Sequence, residues 1–214
     1  MSDFSKIREE FSYGSLRRDD LMSDPIQQLE AWVIEAKDDG VIEPTAMVLS
    51  TVSKEGVPSS RSVLFKGFSD GTLLFFTNYE SRKSQEIMGN NKVSLLFPWY
   101  KTQRQVIVSG RVEQTTKEIS AEYFKGRPRD SQLGAWASRQ SRAVENREVL
   151  EKQFEEAVAL FPGEIPIPHY WGGYKVIPES IEFWQGRPKR IHDRFVYTRR
   201  SVKNENWVLQ RLSP

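Results

Sequence analysis

Hydrophobic positions along the first half of the chain follow first a helical period and then the period of strands. Between Pro25 and Gly40, apolar residues recur at helical spacing, and Asp24 followed by Pro25 is typical of a helix start. From Thr45 the pattern changes to β-branched and aromatic stretches separated by turn sequences, which predicts an antiparallel meander. The predicted strands cover residues 45–52, 60–68, 72–78, 92–99 and 104–114, with a short helix over 81–91.

The second half of the chain predicts inserted helices before a return to strands. Residues 116–161 have a helical pattern interrupted at Pro128, and its clearest stretch is 144–161. Further predicted strands cover 169–176, 179–185, 190–199 and 207–212. Strands, then helices, then strands again favour a barrel-like α+β domain over a βαβ nucleotide-binding unit.

The domain organisation follows from length and from the charge pattern at the N-terminus. Residues 1–20 carry two charged clusters around a turn-prone Tyr13-Gly14-Ser15, and we expect them to form a partly mobile arm. The remaining residues, 21–214, are long enough for one substantial core and are predicted to form a single domain.

Composition excludes several classes of protein. The 214 residues are 38% hydrophobic and 28% charged, which is typical of a globular protein. A net charge of +2 is too close to neutrality to indicate a nucleic-acid partner. Without cysteine and with two histidines, the chain has few ligands for a metal, and none is expected. We see neither a membrane span nor a signal peptide, so we expect a cytoplasmic location and no membrane partner.

Five short segments concentrate Arg and Lys beside hydroxyl, amide and aromatic residues, which indicates anion binding. They are residues 61–66, 77–83, 125–130, 138–142 and 190–194. Taken singly, each cation is more often a solvated surface charge. Arg61 and Lys66 lie five positions apart, an odd interval, so on a regular strand they would point to opposite faces. No glycine-rich loop has the spacing that NAD or ATP requires, and no nucleophilic triad is present.

Ten segments together, in their order along the chain, resemble the pyridoxine/pyridoxamine 5′-phosphate oxidase family. They are EPTAM, RSVLFK, FFTNYESRKSQEI, VSLLFPW, RQVIVSG, YFKGRPRDSQLGAWASRQS, YWGGYKV, IEFWQG, RIHDRF and WVLQRLSP, and they span nearly the whole chain. The resemblance implies a mostly antiparallel, FMN-binding split β-barrel of the α+β class with peripheral helices. It also implies a homodimer with two FMN sites, each built from both subunits.

The resemblance further implies a reaction and its residues. Pyridoxine 5′-phosphate and pyridoxamine 5′-phosphate are oxidised to pyridoxal 5′-phosphate, with a hydride passing from substrate C4′ to flavin N5 and O2 reduced to H2O2. The implied FMN contacts are Arg61, Ser62, Val63, Leu64, Phe65, Lys66, Phe76, Thr77, Arg82, Lys83, Gln105, Gln140, Ser141, Trp184 and Arg194. The implied substrate contacts are Arg8, Glu9, Glu10, Phe11, Lys66, Tyr123, Arg127, Ser131, Arg190 and His192, with Arg190 and His192 catalytic.

Three parts of the chain depart from the family pattern. Residues 8–11 read Arg-Glu-Glu-Phe where relatives often have Arg-Arg-Glu-Tyr, so Phe11 can only pack. Glu43 replaces an Asp, and Phe76 replaces a Tyr. Such changes alter affinity or turnover more readily than the type of reaction.

Two other functions remain open at this stage. A split-barrel flavin reductase or carrier would keep the flavin-phosphate residues but would not need the five substrate residues Tyr123, Arg127, Ser131, Arg190 and His192 together. A non-enzymatic module would use its basic segments to bind nucleic acid or to store pyridoxal phosphate; nucleic-acid binding should weaken strongly with salt.

Overall fold

The computed structural model describes residues 3–6, 10–199 and 206–214. The helices are α1 (Pro25–Asp38), α2 (Arg82–Gly89), α3 (Lys117–Lys125), α4 (Arg129–Ala137) and α5 (Arg147–Leu160). The strands are β1 (Ala46–Val52), β2 (Pro58–Leu64), β3 (Phe68–Ser69), β4 (Thr72–Asn78), β5 (Lys92–Trp99), β6 (Arg104–Gln114), β7 (Trp171–Gln185), β8 (Asp193–Arg199) and β9 (Trp207–Leu212). Single 3-10 turns occupy Phe4–Lys6, Arg18–Asp20, Tyr100–Thr102 and Pro188–Arg190.

The strands of the described residues form one sheet. Its order is β2-β1-β5-β6-β7-β4-β3, and β8 pairs with both β7 and β9. The pairs β3–β4, β4–β7, β7–β8 and β8–β9 are antiparallel. The predicted α+β class with a mostly antiparallel sheet is therefore confirmed.

Two predicted strands are a single strand in the structure. We expected residues 169–176 and 179–185 to be separate, but β7 runs through Pro178. A proline cannot donate to a strand ladder, and it is tolerated here because the partner of β7 changes around it. Residues 171–176 pair with β4, whereas residues 180–185 pair with β8.

The Cα positions divide into two compact units, which we call unit 1 and unit 2. Unit 1 comprises Met1–Leu49, Ser94–Gly110 and Pro178–Pro214. In its core the α1 residue Trp32 packs edge-on against Phe183 at 5.1 Å between ring centroids, and the Arg104 guanidinium lies 4.3 Å from the Trp32 ring. Asp24 caps α1 as predicted, since its carboxylate accepts a hydrogen bond from the Ile26 N–H.

Unit 2 comprises Ser50–Val93 and Arg111–Ile177. The helices α3, α4 and α5 contribute Phe124, Leu133 and Ala157 to a buried cluster that also contains Trp171. The glycine pair that follows Trp171 is explained by close packing: a Cβ at Gly172 would collide with the Tyr79 side chain, and one at Gly173 with those of Thr115 and Phe76. The single-domain boundary at residue 21 remains a prediction.

The N-terminal segment makes defined contacts within unit 1 from Phe11 onward. The N–H groups of Ser12 and Tyr13 both donate to Gln103 Oε1, at 2.7 and 2.9 Å, and the Leu16 side chain is buried. The predicted contacts Arg8 and Glu9 lie outside the described residues, and the mobility of the arm remains a prediction. None of the helices in the described ranges is long and apolar enough to span a membrane.

Candidate functional site

Unit 2 contains a cavity of about 790 Å³, which we call the basic cavity. Its lining includes five cationic side chains, from Arg61, Lys66, Arg82, Lys83 and Arg127. Among the described residues, no Asp or Glu side chain lines it. The other predicted ligand residues in the lining are Ser62, Val63, Leu64, Phe76, Thr77, Tyr123, Ser131, Gln140 and Ser141. The structure thus brings together fourteen predicted ligand residues, eleven of which come from four of the five basic segments.

Arg61 and Lys66 line the same cavity despite their odd spacing. The strand β2 ends at Leu64, so the alternation of strand faces no longer applies at Lys66. The Lys66 N–H donates to the Leu74 carbonyl at 2.9 Å, which fixes the backbone just beyond the strand. Phe65 differs from its neighbours because its side chain is buried against Phe68, with ring centroids 4.8 Å apart.

Lys83 is a buried cation in the first turn of α2. Its side chain is 7% exposed, and its ammonium donates to Thr77 Oγ1 at 3.0 Å, Ser81 Oγ at 3.2 Å and Gln140 Oε1 at 2.6 Å. Burial, followed by repulsion from Arg61, lowers the pKa of Lys83 to about 8. All three oxygens belong to neutral groups, so the charge of Lys83 would be stabilised by an anion in the cavity.

Arg61 and Arg82 share a carboxylate that sequence reasoning missed. Glu86, 7% exposed, accepts from Arg82 Nε at 2.8 Å and lies 3.2 Å from Arg61 Nη2. Burial raises the pKa of Glu86, but hydrogen bonds from Ser59, Thr51 and Arg82 and the charge of Arg61 outweigh it and lower the pKa to about 2. The i,i+4 spacing of Arg82 and Glu86 on a predicted helix was the signal that could have identified Glu86.

Arg127 is held in a different way, in the loop between α3 and α4. Its guanidinium lies 4.7 Å from the Trp171 ring and 5.6 Å from the Phe124 ring. Within the described residues its Nη1 atom is buried without a hydrogen-bond partner, and burial lowers the pKa of Arg127. The Gln132 amide fixes the loop by donating to the Arg127 carbonyl at 3.1 Å, among others.

Three aromatic rings form a parallel stack beside Arg127. Tyr123 stacks on Phe76 at 3.9 Å between centroids, and Trp171 lies 5.7 Å from Phe76 and 6.2 Å from Tyr123. The planes of Tyr123 and Trp171 differ by 1°. Trp171 was not among the predicted site residues, and the structure places it both in the core cluster and in the lining of the basic cavity.

Unit 1 holds a separate group of predicted site residues. Phe11 packs edge-on against Trp184 at 5.6 Å and against His192 at 5.2 Å, as expected for a side chain that has lost its hydroxyl. His192 Nδ1 accepts a hydrogen bond from the Arg187 N–H at 3.1 Å. Burial and the charge of Arg190 lower the pKa of His192, which favours the neutral ring with its proton on Nε2.

The remaining predicted residues of unit 1 differ in how firmly they are held. Arg194 is paired with Glu182 at 2.8 Å and donates to the Ser213 carbonyl at 2.9 Å. Arg190 is exposed, and its backbone has φ 61° directly after Lys189 with φ 59°. Two consecutive non-glycine residues with positive φ are uncommon and cost conformational energy. Gln105 is half-buried in β6, and Glu10 is exposed.

Family models match two parts of the chain. Residues 34–161 match the model described as pyridoxamine 5′-phosphate oxidase. Residues 171–214 match the model described as the pyridoxine 5′-phosphate oxidase C-terminal dimerisation region. Curated relatives from Shewanella sp. (strain MR-4) and Shewanella frigidimarina (strain NCIMB 400) are each 48% identical over 215 residues, which cover all of both chains. Both are named pyridoxine/pyridoxamine 5′-phosphate oxidase.

Solved structures agree with this relationship. The crystal structure of PhzG from Burkholderia lata 383, in complex with tetrahydrophenazine-1-carboxylic acid, is similar with a TM-score of 0.86 and 31% identity, covering 93% of this chain and 98% of that one. An FMN-binding protein related to pyridoxamine 5′-phosphate oxidase, from Nostoc punctiforme PCC 73102, has a TM-score of 0.71 and 16% identity, with 91% and 100% covered. The latter likeness supports the fold alone and confirms the predicted split barrel. The chain belongs to the pyridoxine/pyridoxamine 5′-phosphate oxidase family of enzymes.

Proposed function

We propose that the chain oxidises pyridoxine 5′-phosphate and pyridoxamine 5′-phosphate to pyridoxal 5′-phosphate, with FMN as the hydride acceptor and O2 reduced to H2O2. The basic cavity carries this proposal, because it has five cationic side chains and, among the described residues, no acidic one in its lining. FMN and a vitamer phosphate together carry about −3 to −4 charges near neutral pH. A cavity that holds both phosphates needs such an excess of cations.

The phosphate of FMN is assigned to Arg61, Arg82, Lys83 and Ser141. Lys83 supports this assignment because it is a buried ammonium with only neutral oxygens as hydrogen-bond partners. Arg61 and Arg82 add forked donors that suit a phosphate. The flavin itself is assigned to the remaining predicted residues, namely Ser62, Val63, Leu64, Phe65, Lys66, Phe76, Thr77, Gln105, Gln140, Trp184 and Arg194. Because the Phe65 side chain is buried, its contribution is a backbone contact.

The phosphate of the substrate is assigned to Lys66, Tyr123, Arg127 and Ser131. The buried Nη1 of Arg127, which has no hydrogen-bond partner in the described part of the chain, supports this assignment. An unsatisfied buried donor is costly, and a phosphate oxygen would satisfy it. Glu10 and Phe11, with Arg8 and Glu9 beyond the described residues, are proposed to contact the substrate from the N-terminal segment.

The residues of the chain mainly align the reactants. FMN, when bound, accepts the hydride from substrate C4′ and passes the electrons to O2. Arg190 is proposed to orient the pyridine ring and to stabilise the charge that develops during hydride transfer. His192 assists as a neutral imidazole whose Nε2–H is available to donate, since its Nδ1 already accepts from the Arg187 N–H.

A homodimer is proposed as the working assembly, with each FMN site built from both subunits. The match of residues 171–214 to the C-terminal dimerisation region supports it. Sedimentation of the purified protein should give twice the mass of the chain. Sedimentation as a monomer with full activity would contradict the shared site.

An aerobic assay tests the proposed reaction. The purified protein with added FMN is mixed with pyridoxine 5′-phosphate, and the aldehyde product and H2O2 are followed together. We expect the two products in equal amounts, and far slower turnover with unphosphorylated pyridoxine as the matched control. Bound flavin without product from either vitamer phosphate would instead favour the flavin reductase or carrier.

A further inference from the structure

We infer that Glu86 is a positioning residue, which holds Arg61 and Arg82 in the orientation that binds the phosphate of FMN. The inference rests on the proposed assignment of that phosphate to Arg61, Arg82 and Lys83. It goes beyond the predicted ligand residues because Glu86 does not line the basic cavity and acts from behind it.

Both carboxylate oxygens of Glu86 are used. Oε1 accepts from Arg82 Nε at 2.8 Å. Oε2 accepts from Ser59 Oγ at 2.6 Å and from Arg61 Nη2 at 3.2 Å, and Thr51 Oγ1 donates to it as well. Thr51 and Ser59 also accept from the Arg61 guanidinium, so the strands β1 and β2 and the helix α2 meet at this one carboxylate.

Arg82 is the residue whose orientation depends most on Glu86. Its side chain is 60% exposed, and a long exposed side chain normally samples many rotamers. The bond from Nε to Glu86 fixes the plane of the guanidinium. Among the described residues neither Nη atom of Arg82 has a hydrogen-bond partner, so the forked end is available to a ligand in the cavity.

The negative charge of Glu86 allows a positioning role to be distinguished from an effect of net charge alone. A carboxylate this close to a phosphate site repels the ligand by Coulomb's law, so a protein that depended only on net charge would bind FMN more tightly without it. Positioning predicts the opposite result, because losing Glu86 frees Arg82 and removes one of the acceptors of Arg61. The sign of the change in FMN affinity therefore separates the two accounts.

Glu86 could also serve only to anchor α2 to the sheet. A loose α2 would disturb Thr77, Lys83 and the flavin contacts as a whole, and riboflavin would lose affinity along with FMN. Riboflavin lacks the phosphate and is therefore the ligand that separates positioning from anchoring.

The test uses the full-length apoprotein with the variants Glu86→Ala and Glu86→Gln, titrated with FMN and with riboflavin by flavin fluorescence. We expect Glu86→Ala to weaken FMN about tenfold or more, as for the loss of charge-assisted hydrogen bonds, and riboflavin by less than about twofold. Glu86→Gln should fall between Glu86→Ala and the unmodified protein, because its amide oxygen can still accept from Ser59 and Arg61 while its NH2 group cannot accept from Arg82.

Glu113→Ala is the matched control for a lost negative charge in unit 2. Glu113 is exposed and paired with Lys175 at 3.4 Å, away from the basic cavity, so its removal should leave both affinities unchanged. If Glu86→Ala does not fold, Glu86→Gln provides the test by itself, again as a loss confined to FMN.

Two results would overturn the inference while leaving the proposed function intact. One is unchanged or tighter FMN binding in the Glu86 variants, and the other is an equal loss of FMN and riboflavin. An unmodified apoprotein that binds no FMN would instead reject the proposed function, and the role of Glu86 with it.

Discussion

The basic cavity holds its cations in two contrasting ways. On one side, Lys83 is hydrogen-bonded to Gln140 and Thr77, and Arg61 and Arg82 are bonded to Glu86, so these cations have their positions fixed before any ligand arrives. On the other side, the guanidinium of Arg127 packs against the rings of Trp171 and Phe124. Its buried Nη1 has no hydrogen-bond partner among the described residues.

This difference suggests different tasks for the two sides. A preorganised network loses little entropy when it binds an anion, which suits a cofactor that stays in place. An arginine that rests on rings can exchange its anion at each turnover and still keep its position. We therefore assign the resident FMN phosphate to the first side and the exchanging substrate phosphate to the second.

Truncation of Arg127 should give the largest effect, and it should weaken the binding of substrate without changing the binding of FMN. Arg127→Ala is expected to weaken the phosphorylated substrate by about 2 to 4 kcal/mol, as when one partner of a buried charge pair is removed. The Michaelis constant for pyridoxine 5′-phosphate should rise accordingly, with FMN content unchanged. Lys125→Ala, at an exposed cation two residues before Arg127, is the control. An unchanged Michaelis constant in Arg127→Ala would refute the assignment.

Removal of Arg190 should leave the binding of both phosphates unchanged and should slow the reduction of the flavin. We expect Arg190→Ala to lower the rate of flavin reduction at saturating substrate by about a hundredfold, which is typical of losing a donor at a developing charge. Stopped-flow absorbance measures this rate, and the flavin spectrum measures FMN content. Lys189→Ala is the matched control because Lys189 is also exposed and has positive φ. A near-normal rate in Arg190→Ala would remove Arg190 from the catalytic role.

The pH dependence of FMN binding should report on Lys83. Its pKa in the ligand-free protein is about 8, below the usual 10.5, and a phosphate dianion favours the charged form. FMN affinity should therefore fall as pH rises above about 8, by up to about tenfold per pH unit, whereas riboflavin affinity should not. Lys83→Met should weaken FMN and flatten this dependence, while Lys92→Met at an exposed position should not.

The same lowered pKa has an opposite consequence for stability. In the absence of ligand, the unfolded chain binds more protons at Lys83 than the folded protein does between about pH 8 and 10.5. This group therefore makes the free energy of unfolding larger as pH rises through that window. If the affinity for FMN showed no pH dependence between about pH 8 and 10.5, the phosphate of FMN would not lie beside Lys83.

Sequence patterns predicted most of the elements and could not predict how they are joined. The helix over Pro25–Asp38 and most of the strands up to Gln114 follow from period and from turn residues. The single strand predicted over 60–68 was wrong, because the structure divides it between β2 and β3. The continuity of β7 through Pro178 was not predicted, because a proline in a strand pattern normally indicates the end of the strand. The proline is tolerated because the pairing partner of β7 changes around it.

The candidate site shows the same limit. Resemblance supplied the ligand residues, and fourteen of them line one cavity. The alternation argument that separated Arg61 from Lys66 did not apply, because the strand ends between them. Glu86 and Trp171 were not predicted as site residues, since their importance lies in contacts with Arg82 and Arg127 that periodicity does not reveal.

The most direct test of the central claim is anaerobic mixing of the FMN-loaded, dialysed protein with pyridoxine 5′-phosphate while flavin absorbance is recorded. The account predicts that FMN survives dialysis and is then reduced by substrate, at a rate that saturates with substrate concentration. Flavin that stays oxidised in the presence of both vitamer phosphates would contradict the claim that this cavity serves a resident cofactor and an exchanging substrate.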